Sequence, residues 1–481
     1  MRLGCQNGKI KILHDLRMNY KRTGLINMVI FTGLEFLFRF FPAFLAVYYI
    51  TPKKYRNTAL LFGSIVFYAM GEPYYVLLLL AAVWLNYFLA KKIYSCRDTR
   101  RGRKCRKDRL ITILVLDVGL LTVFKLLGVF LDSSILPLGL SFYIFKMISF
   151  QIDVFRGEMT EMPTFKRTAV YFTMFPQIVS GPIMRFHEGS FLMGEREYSL
   201  EKLEEGLQYF VAGFGTKVLL ADRLAILWKD IHMIGYESIS TPLAWMGAAA
   251  YSMELYFDFW GYSLMASGIC VMLGFPFIKN FDHPYASKSV SEFWRRWHMT
   301  LGSFFRDYVY IPLGGSREGL ARTVRNLLAV WILTGLWHGG SLNFVLWGFA
   351  LFLLIAAEKL GLGKLFAKFP LIGRCYTLFF IPVTWIIFAV TDLGQLGLYL
   401  GRLFPFAGVG VAVNSKDIVK YLGMYWYYLL AGIIWCIPAS SRFLQKHRRN
   451  PAVVLLTVVV FWFSVFCVVS MESNPFAYLK F

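Results

Sequence analysis

Phe293-Trp-Arg-Arg-Trp-His298 and, forty residues on, Thr334-Gly-Leu-Trp-His338-Gly-Gly-Ser341-Leu-Asn343-Phe-Val-Leu-Trp347-Gly348 set two histidines in strongly apolar surroundings. Between them lie Arg306-Asp307-Tyr-Val-Tyr-Ile-Pro312-Leu-Gly-Gly315 and an apolar approach from Val324 to Leu333. A charged side chain at membrane depth is costly and needs a partner, a water-filled cavity or a function. Arg295, Arg296, His298, Arg306, Asp307 and His338 are too many such groups to face lipid. The stretch reads as an active site sunk into a bilayer.

Composition agrees. Hydrophobic residues make up 57% of the 481, aromatics 18% and charged residues 17%, against roughly 25% charged in soluble domains. Many apolar runs approach the roughly 20 residues that cross a hydrocarbon core. The expected fold is all-α and polytopic, with about eleven or twelve transmembrane or re-entrant helices. The net charge of +22 is carried in short loops, which excludes nucleic acid as the expected partner and follows the positive-inside rule. Lys91–Arg109 holds ten Lys/Arg against Asp98 and Asp108, a cytoplasmic anchor on anionic membrane lipid. A docking patch for an acidic carrier protein or a nucleotide-bearing acyl donor is the sharper alternative. Cys270, Cys375, Cys436 and Cys467 lie in apolar runs as small core residues, and Cys96 and Cys105 lack histidines at metal-ligand spacing. No disulfide and no metal site is expected.

Along the chain, residues 1–27 form a basic extension without an apolar core, and residues 28–481 form a single transmembrane domain. Three crossings before Lys91–Arg109 would leave that basic tail outside, against the positive-inside rule, which makes Met28 the expected start. Glu35 and Arg39 stand one turn apart and can pair. Pro137 and Gly139 suit a kinked or interrupted helix over Ile135–Phe155, and Phe172–Arg185 resembles a re-entrant segment. Gly206–Trp228 carries Lys217, Asp222 and Arg223. Leu243–Phe275 reads as two tilted helices broken near Gly261, with Glu254 and Asp258 one turn apart and paired by Arg295, Arg296 or Arg306. Basic 445–450 is expected in the cytoplasm, which puts the C-terminus outside, like the N-terminus.

His338 is the leading catalytic candidate. Gly335, Gly339 and Gly340 remove side chains around it and allow close backbone or substrate approach. A neutral imidazole can take a proton from a hydroxyl and return one to a leaving group. A hydrogen-bonded core histidine is the competing reading. His298 follows two arginines and two tryptophans, a pattern shared with interfacial anchors. Ser341 and Asn343 could orient His338, although helix-packing polar residues look the same. No Gly-x-Ser-x-Gly elbow, Walker loop, HExxH or Rossmann fingerprint occurs in a suitable context.

These motifs resemble the membrane-bound O-acyltransferases, most closely their bacterial alginate O-acetyltransferase branch. The resemblance rests on Leu34-Glu-Phe-Leu-Phe-Arg39-Phe, Leu136-Pro-Leu-Gly-Leu-Ser-Phe-Tyr143 and Phe175-Pro-Gln-Ile-Val-Ser-Gly-Pro-Ile-Met-Arg185. It continues through Tyr256-Phe-Asp258-Phe-Trp260-Gly-Tyr-Ser263, the two histidine motifs and the ending Asn474–Phe481. Where the branch usually has Ser after Tyr-Phe-Asp-Phe, this chain has Trp260. The resemblance implies many helices around a central funnel through the membrane, with His338 and His298 as the functional histidines; Arg295, Arg296, Arg306, Asp258, Asn343 and Ser341 are the residues read here as binding or supporting substrate.

It also implies a multi-pass bacterial plasma-membrane enzyme without a tightly bound cofactor. Acetyl-CoA or another thioester would arrive at the cytoplasmic face, and an extracytoplasmic partner of the SGNH type would pass the acyl group to a polysaccharide. A sister branch performs D-alanyl transfer from a carrier protein to teichoic acid, which is the second reading. A polysaccharide or lipid transporter without acyl chemistry is the third. It calls for paired broken helices in symmetrical halves, and the sequence has no internal repeat.

Overall fold

The computed structural model describes residues 30–96, 99–131, 135–159, 161–189, 196, 198–404 and 416–470. The extension 1–27, the expected start at Met28 and the ending 474–481 lie outside them. The described residues form helices and connecting turns, with no strand. They divide into two compact units.

The first unit takes the described residues up to Phe124, then 134–180 and 185–196. Its helices are α1 (Phe41–Ile50), α2 (Arg56–Gly71), α3 (Tyr75–Tyr94), most of α4 (Arg100–Phe130), α5 (Leu140–Arg156) and α6 (Phe165–Thr173). Glu35 and Arg39 pair at 2.7 Å. The Ile135–Phe155 run does not kink: α5 starts at Leu140, after Pro137 and Gly139. Gly139 has φ +72° and lies against the Ile178 carbonyl, where a Cβ would have no room. The segment after α6 is broken, as expected. A single turn, Phe175–Ile178, follows a break at Met174, and the Ser64 hydroxyl accepts its Phe175 N–H at 3.1 Å. Buried Asn86 joins α3 to its neighbours by donating to Asp117 at 3.0 Å and accepting from Gln151 at 2.9 Å.

The second unit comprises residues 125–133, 181–184 and the described residues from Tyr198 onward. It holds the end of α4 and α7 (Leu200–Gly215), α8 (Asp222–Ile234), α9 (Thr241–Met272), α10 (Val290–Arg296) and α11 (Met299–Phe305). Then come α12 (Leu320–His338), α13 (Leu342–Ala357), α14 (Pro370–Ala389), α15 (Leu393–Leu403), α16 (Asp417–Cys436), α17 (Pro438–Lys446) and α18 (Pro451–Ser470). α9 is one unbroken helix of 32 residues, not two broken at Gly261. Gly261 lies against the Gly213 carbonyl and Gly268 against the Gly206 carbonyl, so two glycines on each helix bring α7 and α9 together backbone to backbone. Small residues serve this purpose where lipid offers no hydrophobic drive between helices.

Among the described residues, five helical stretches are long and apolar enough to cross a membrane by themselves: α3, α4, Leu342–Lys368, α14 and α18. The α16–α17 pair, bent by 71°, makes a sixth. The other segments expected to enter the membrane are shorter, as α7 is, broken, or carry buried polar groups, as α5 and α9 do. Cys270 and Cys467 are buried as expected, whereas Cys375 is exposed on α14. Gly213→Ala or Gly268→Ala should cost about 1–3 kcal/mol, the range for overpacking. Gly397→Ala on α15, with open space beside it, should leave thermal unfolding in detergent unchanged.

Candidate active site

Three charged side chains meet between α7, α8 and α9. A π-helical turn over Thr216–Ala221 links α7 to α8, and such turns recur at functional sites. It places Lys217 Nζ 2.6 Å from Asp222 Oδ1 and 2.7 Å from Asp258 Oδ1. All three groups are buried. The arginines expected to neutralise Asp258 do not do so. Arg306 makes a fork to Asp307 at 2.7 and 3.1 Å. Arg296 pairs with Glu292 at 2.7 Å and donates to the Asp282 carbonyl. Arg295 is exposed. Long side chains next to water keep their charge at the surface, whereas Lys217 is enclosed with the carboxylates by the helices themselves.

His298 is buried at the N-terminus of α11 with φ +43°, a left-handed conformation uncommon outside glycine. Asn280 holds it there. Its Oδ1 accepts from His298 Nδ1 at 3.1 Å and from Thr300 Oγ1 at 2.9 Å, and its carbonyl accepts the Met299 N–H at 2.8 Å. Asn280 Nδ2 donates in turn to Ser263 Oγ on α9 at 2.9 Å. An Nδ1 that donates leaves the imidazole lone pair on Nε2. Sequence reasoning missed Asn280: it lies in a loop 18 residues before its partner, with no motif to mark it.

His338 ends α12 and is 5% exposed. Rings surround it: Trp337 at 4.5 Å, Phe388 at 5.0 Å edge-on, Trp347 at 5.1 Å edge-on and Phe344 at 6.3 Å between centroids. The glycines near it make room for protein. Gly335 lies against the Phe344 backbone, Gly339 against the Phe344 ring and Gly340 against Val129. Ser341 and Asn343 serve packing: Ser341 Oγ donates to Asn343 Oδ1 at 2.5 Å, and Asn343 Nδ2 donates to the Phe388 and Ile387 carbonyls at the end of α14.

A continuous aromatic wall joins the histidines. Phe259 meets the His298 ring edge-on at 4.6 Å, Trp297 lies 4.9 Å from Trp385, and Trp385 stacks at 5.8 Å on Trp347, beside His338. The two imidazoles are near enough to interact electrostatically, and Lys125 is near enough to act on His338. Lys125 of α4 donates to the Trp337 carbonyl and lies 5.6 Å over its indole ring. No carboxylate pairs with it among the described residues. Its place two turns past Asp117 was visible in the sequence, but nothing there linked it to His338.

The site thus combines two buried imidazoles, one with a defined tautomer, and a nearby ammonium in a mostly aromatic shell. That set suits the proton transfers to and from oxygen and sulfur that accompany acyl transfer. A model of the MBOAT, membrane-bound O-acyltransferase, family matches residues 76–400. A probable alginate O-acetylase of Pseudomonas fluorescens is 37% identical over 380 residues, covering 79% of this chain and 76% of that protein. A peptidoglycan O-acetyltransferase of Helicobacter pylori is 28% identical over 94% of this chain and 98% of its own length. A teichoic acid D-alanyltransferase of Bacillus subtilis is 29% identical over 44% of this chain and 56% of its own length.

The chain belongs to the membrane-bound O-acyltransferase family. It is a multi-pass membrane enzyme, an O-acyltransferase. Lys217→Met would leave two buried carboxylates without their cation and should destabilise the protein by about 3–5 kcal/mol, read as a fall in the detergent melting temperature.

Proposed function

We propose that the enzyme moves an acetyl group from a cytoplasmic thioester, acetyl-CoA or a relative of it, to hydroxyls of an exported or cell-surface polysaccharide. An extracytoplasmic acetyltransferase of the SGNH type relays the group. The plasma membrane of a bacterium is its place, with both termini outside and the basic segments at 91–109 and 445–450 in the cytoplasm. The names of the alginate and peptidoglycan relatives support acetyl as the group and a glycan as the acceptor. The D-alanyl reading has less support, since that relative matches under half of this chain.

The observation that carries the reading is the Asn280–His298 hydrogen bond, which leaves a basic nitrogen at Nε2 inside an apolar shell. His298 Nε2 takes the proton of the incoming hydroxyl as its oxygen attacks the thioester carbonyl carbon. The new C–O bond forms, the carbonyl oxygen carries the charge, and collapse of that intermediate breaks the C–S bond. The proton held on His298 passes through His338, which takes it on one ring nitrogen and gives one up from the other, to the departing thiolate, with Lys125 beside it to offset negative charge. Arg296 and Arg306 take no part, being engaged in pairs with Glu292 and Asp307, and Arg295 is exposed.

Replacing His298 or His338 by Ala should lower acyl transfer by about 10²–10⁴-fold while insertion and protein level stay unchanged. Asn280→Ala should lower it less and chiefly in kcat, since the imidazole remains but loses its orientation. Mass spectrometry of the exported polymer from a deletion strain should find the glycan exported without its acyl group. Loss of export itself would favour the transporter reading, and D-alanine in the wild-type polymer would favour the teichoic acid reading. Full acylation in the His338→Ala strain would remove that residue from the mechanism.

A further inference from the structure

A groove of about 600 Å³ opens on the second unit between α7, the π turn, α16, α17 and α18, within the roughly 300–1,000 Å³ of ligand sites. It does not reach the histidines. Its walls are apolar along most of their length, with Leu219, Leu264, Leu456 and Val460 on the sides and Trp260 and Trp435 at the inner end. Trp260 stacks on Tyr256 at 5.2 Å and lies 6.0 Å from Trp435, which closes that end. α18, which supplies one wall, is among the most apolar helices of the chain and is mostly exposed. An open apolar groove at that depth is filled by hydrocarbon, since water gains nothing there.

The other end is polar. Glu205, Gln208, Gln445 and Arg448 line it. Arg448 Nη1 lies 2.8 Å from Glu205, and Gln208 donates to the Arg448 carbonyl at 3.1 Å. α17 turns away from α16 by 71°, has no buried residue and brings Gln445 to this end. Helices of that kind lie at headgroup level. An occupant is therefore a chain with a polar head, and the mouth selects which head. The Arg448 guanidinium is matched by the Glu205 carboxylate, and Arg449 by Glu201. A purely anionic head would set phosphate against those carboxylates. A phosphoethanolamine places its phosphate on Arg448 and its ammonium on Glu205.

We propose that this groove is a binding site for one phosphatidylethanolamine-type glycerophospholipid, with an acyl chain between Leu219, Leu456 and Val460 and its zwitterionic headgroup across the Glu205–Arg448 pair. The proposal does not rest on the acyl-transfer reading, because neither histidine lines the groove. The test reconstitutes the full-length protein in vesicles of equal phosphatidylethanolamine, phosphatidylglycerol and phosphatidylcholine, extracts it in mild detergent and counts retained lipids by native mass spectrometry. One phosphatidylethanolamine should be retained in preference to the other two lipids. Arg448→Gln and Glu205→Gln should each reduce that preference about tenfold, the effect of one charge-assisted hydrogen bond. Leu456→Trp, which fills the groove from the exposed wall, should abolish retention of the tight lipid, and Val453→Trp on the same helix replaces it if that variant does not insert. Equal retention of phosphatidylglycerol and phosphatidylethanolamine by the wild type, or unchanged retention by the filled variant, overturns the proposal.

Discussion

Every polar group that this chain carries below the membrane surface must find its partner within the protein, because hydrocarbon supplies none. The Lys217 bridge to Asp222 and Asp258 is the plainest case. An ammonium between two carboxylates joins the π turn, α8 and α9 at one point. The glycine contacts between α7 and α9 make that point reachable, since the helices carrying Lys217 and Asp258 approach until their backbones touch. Charge pairing and close packing are thus one constraint: either alone would leave the other unmet.

The same rule orders the candidate site. His298 sits at a strained backbone position, and Asn280 compensates by binding its ring, the Thr300 hydroxyl and the following backbone together. His338 is enclosed by the rings of Trp337, Phe344, Trp347 and Phe388. Its neighbours Ser341 and Asn343 tie the start of α13 to the end of α14. Asn280 gives His298 a defined tautomer, and aromatic rings enclose His338.

The groove on the α7–α18 side follows the rule from outside. Where the protein leaves an apolar slot open to lipid, its polar end is lined by groups that pair among themselves, Glu205 with Arg448. His298, His338 and the groove occupy different parts of the second unit. Trp260, whose place in its motif stood out in the sequence, belongs to the groove.

The sequence by itself determined the class of this protein. Apolar runs of membrane length and basic segments between them establish a polytopic helical membrane protein, because hydropathy and charge placement are local properties, and the resemblance of the ordered motifs around His298 and His338 adds the acyltransferase class. It also showed the Glu35–Arg39 pair and the broken segment after α6, which depend on residues one turn apart. Only the tertiary structure decided that Lys217 and not an arginine neutralises Asp258, that α9 runs unbroken through Gly261, and that Asn280 orients His298. It also showed that the glycines around His338 receive protein. Each joins residues far apart in the chain or depends on how two backbones approach, and a one-dimensional pattern records neither distance nor direction.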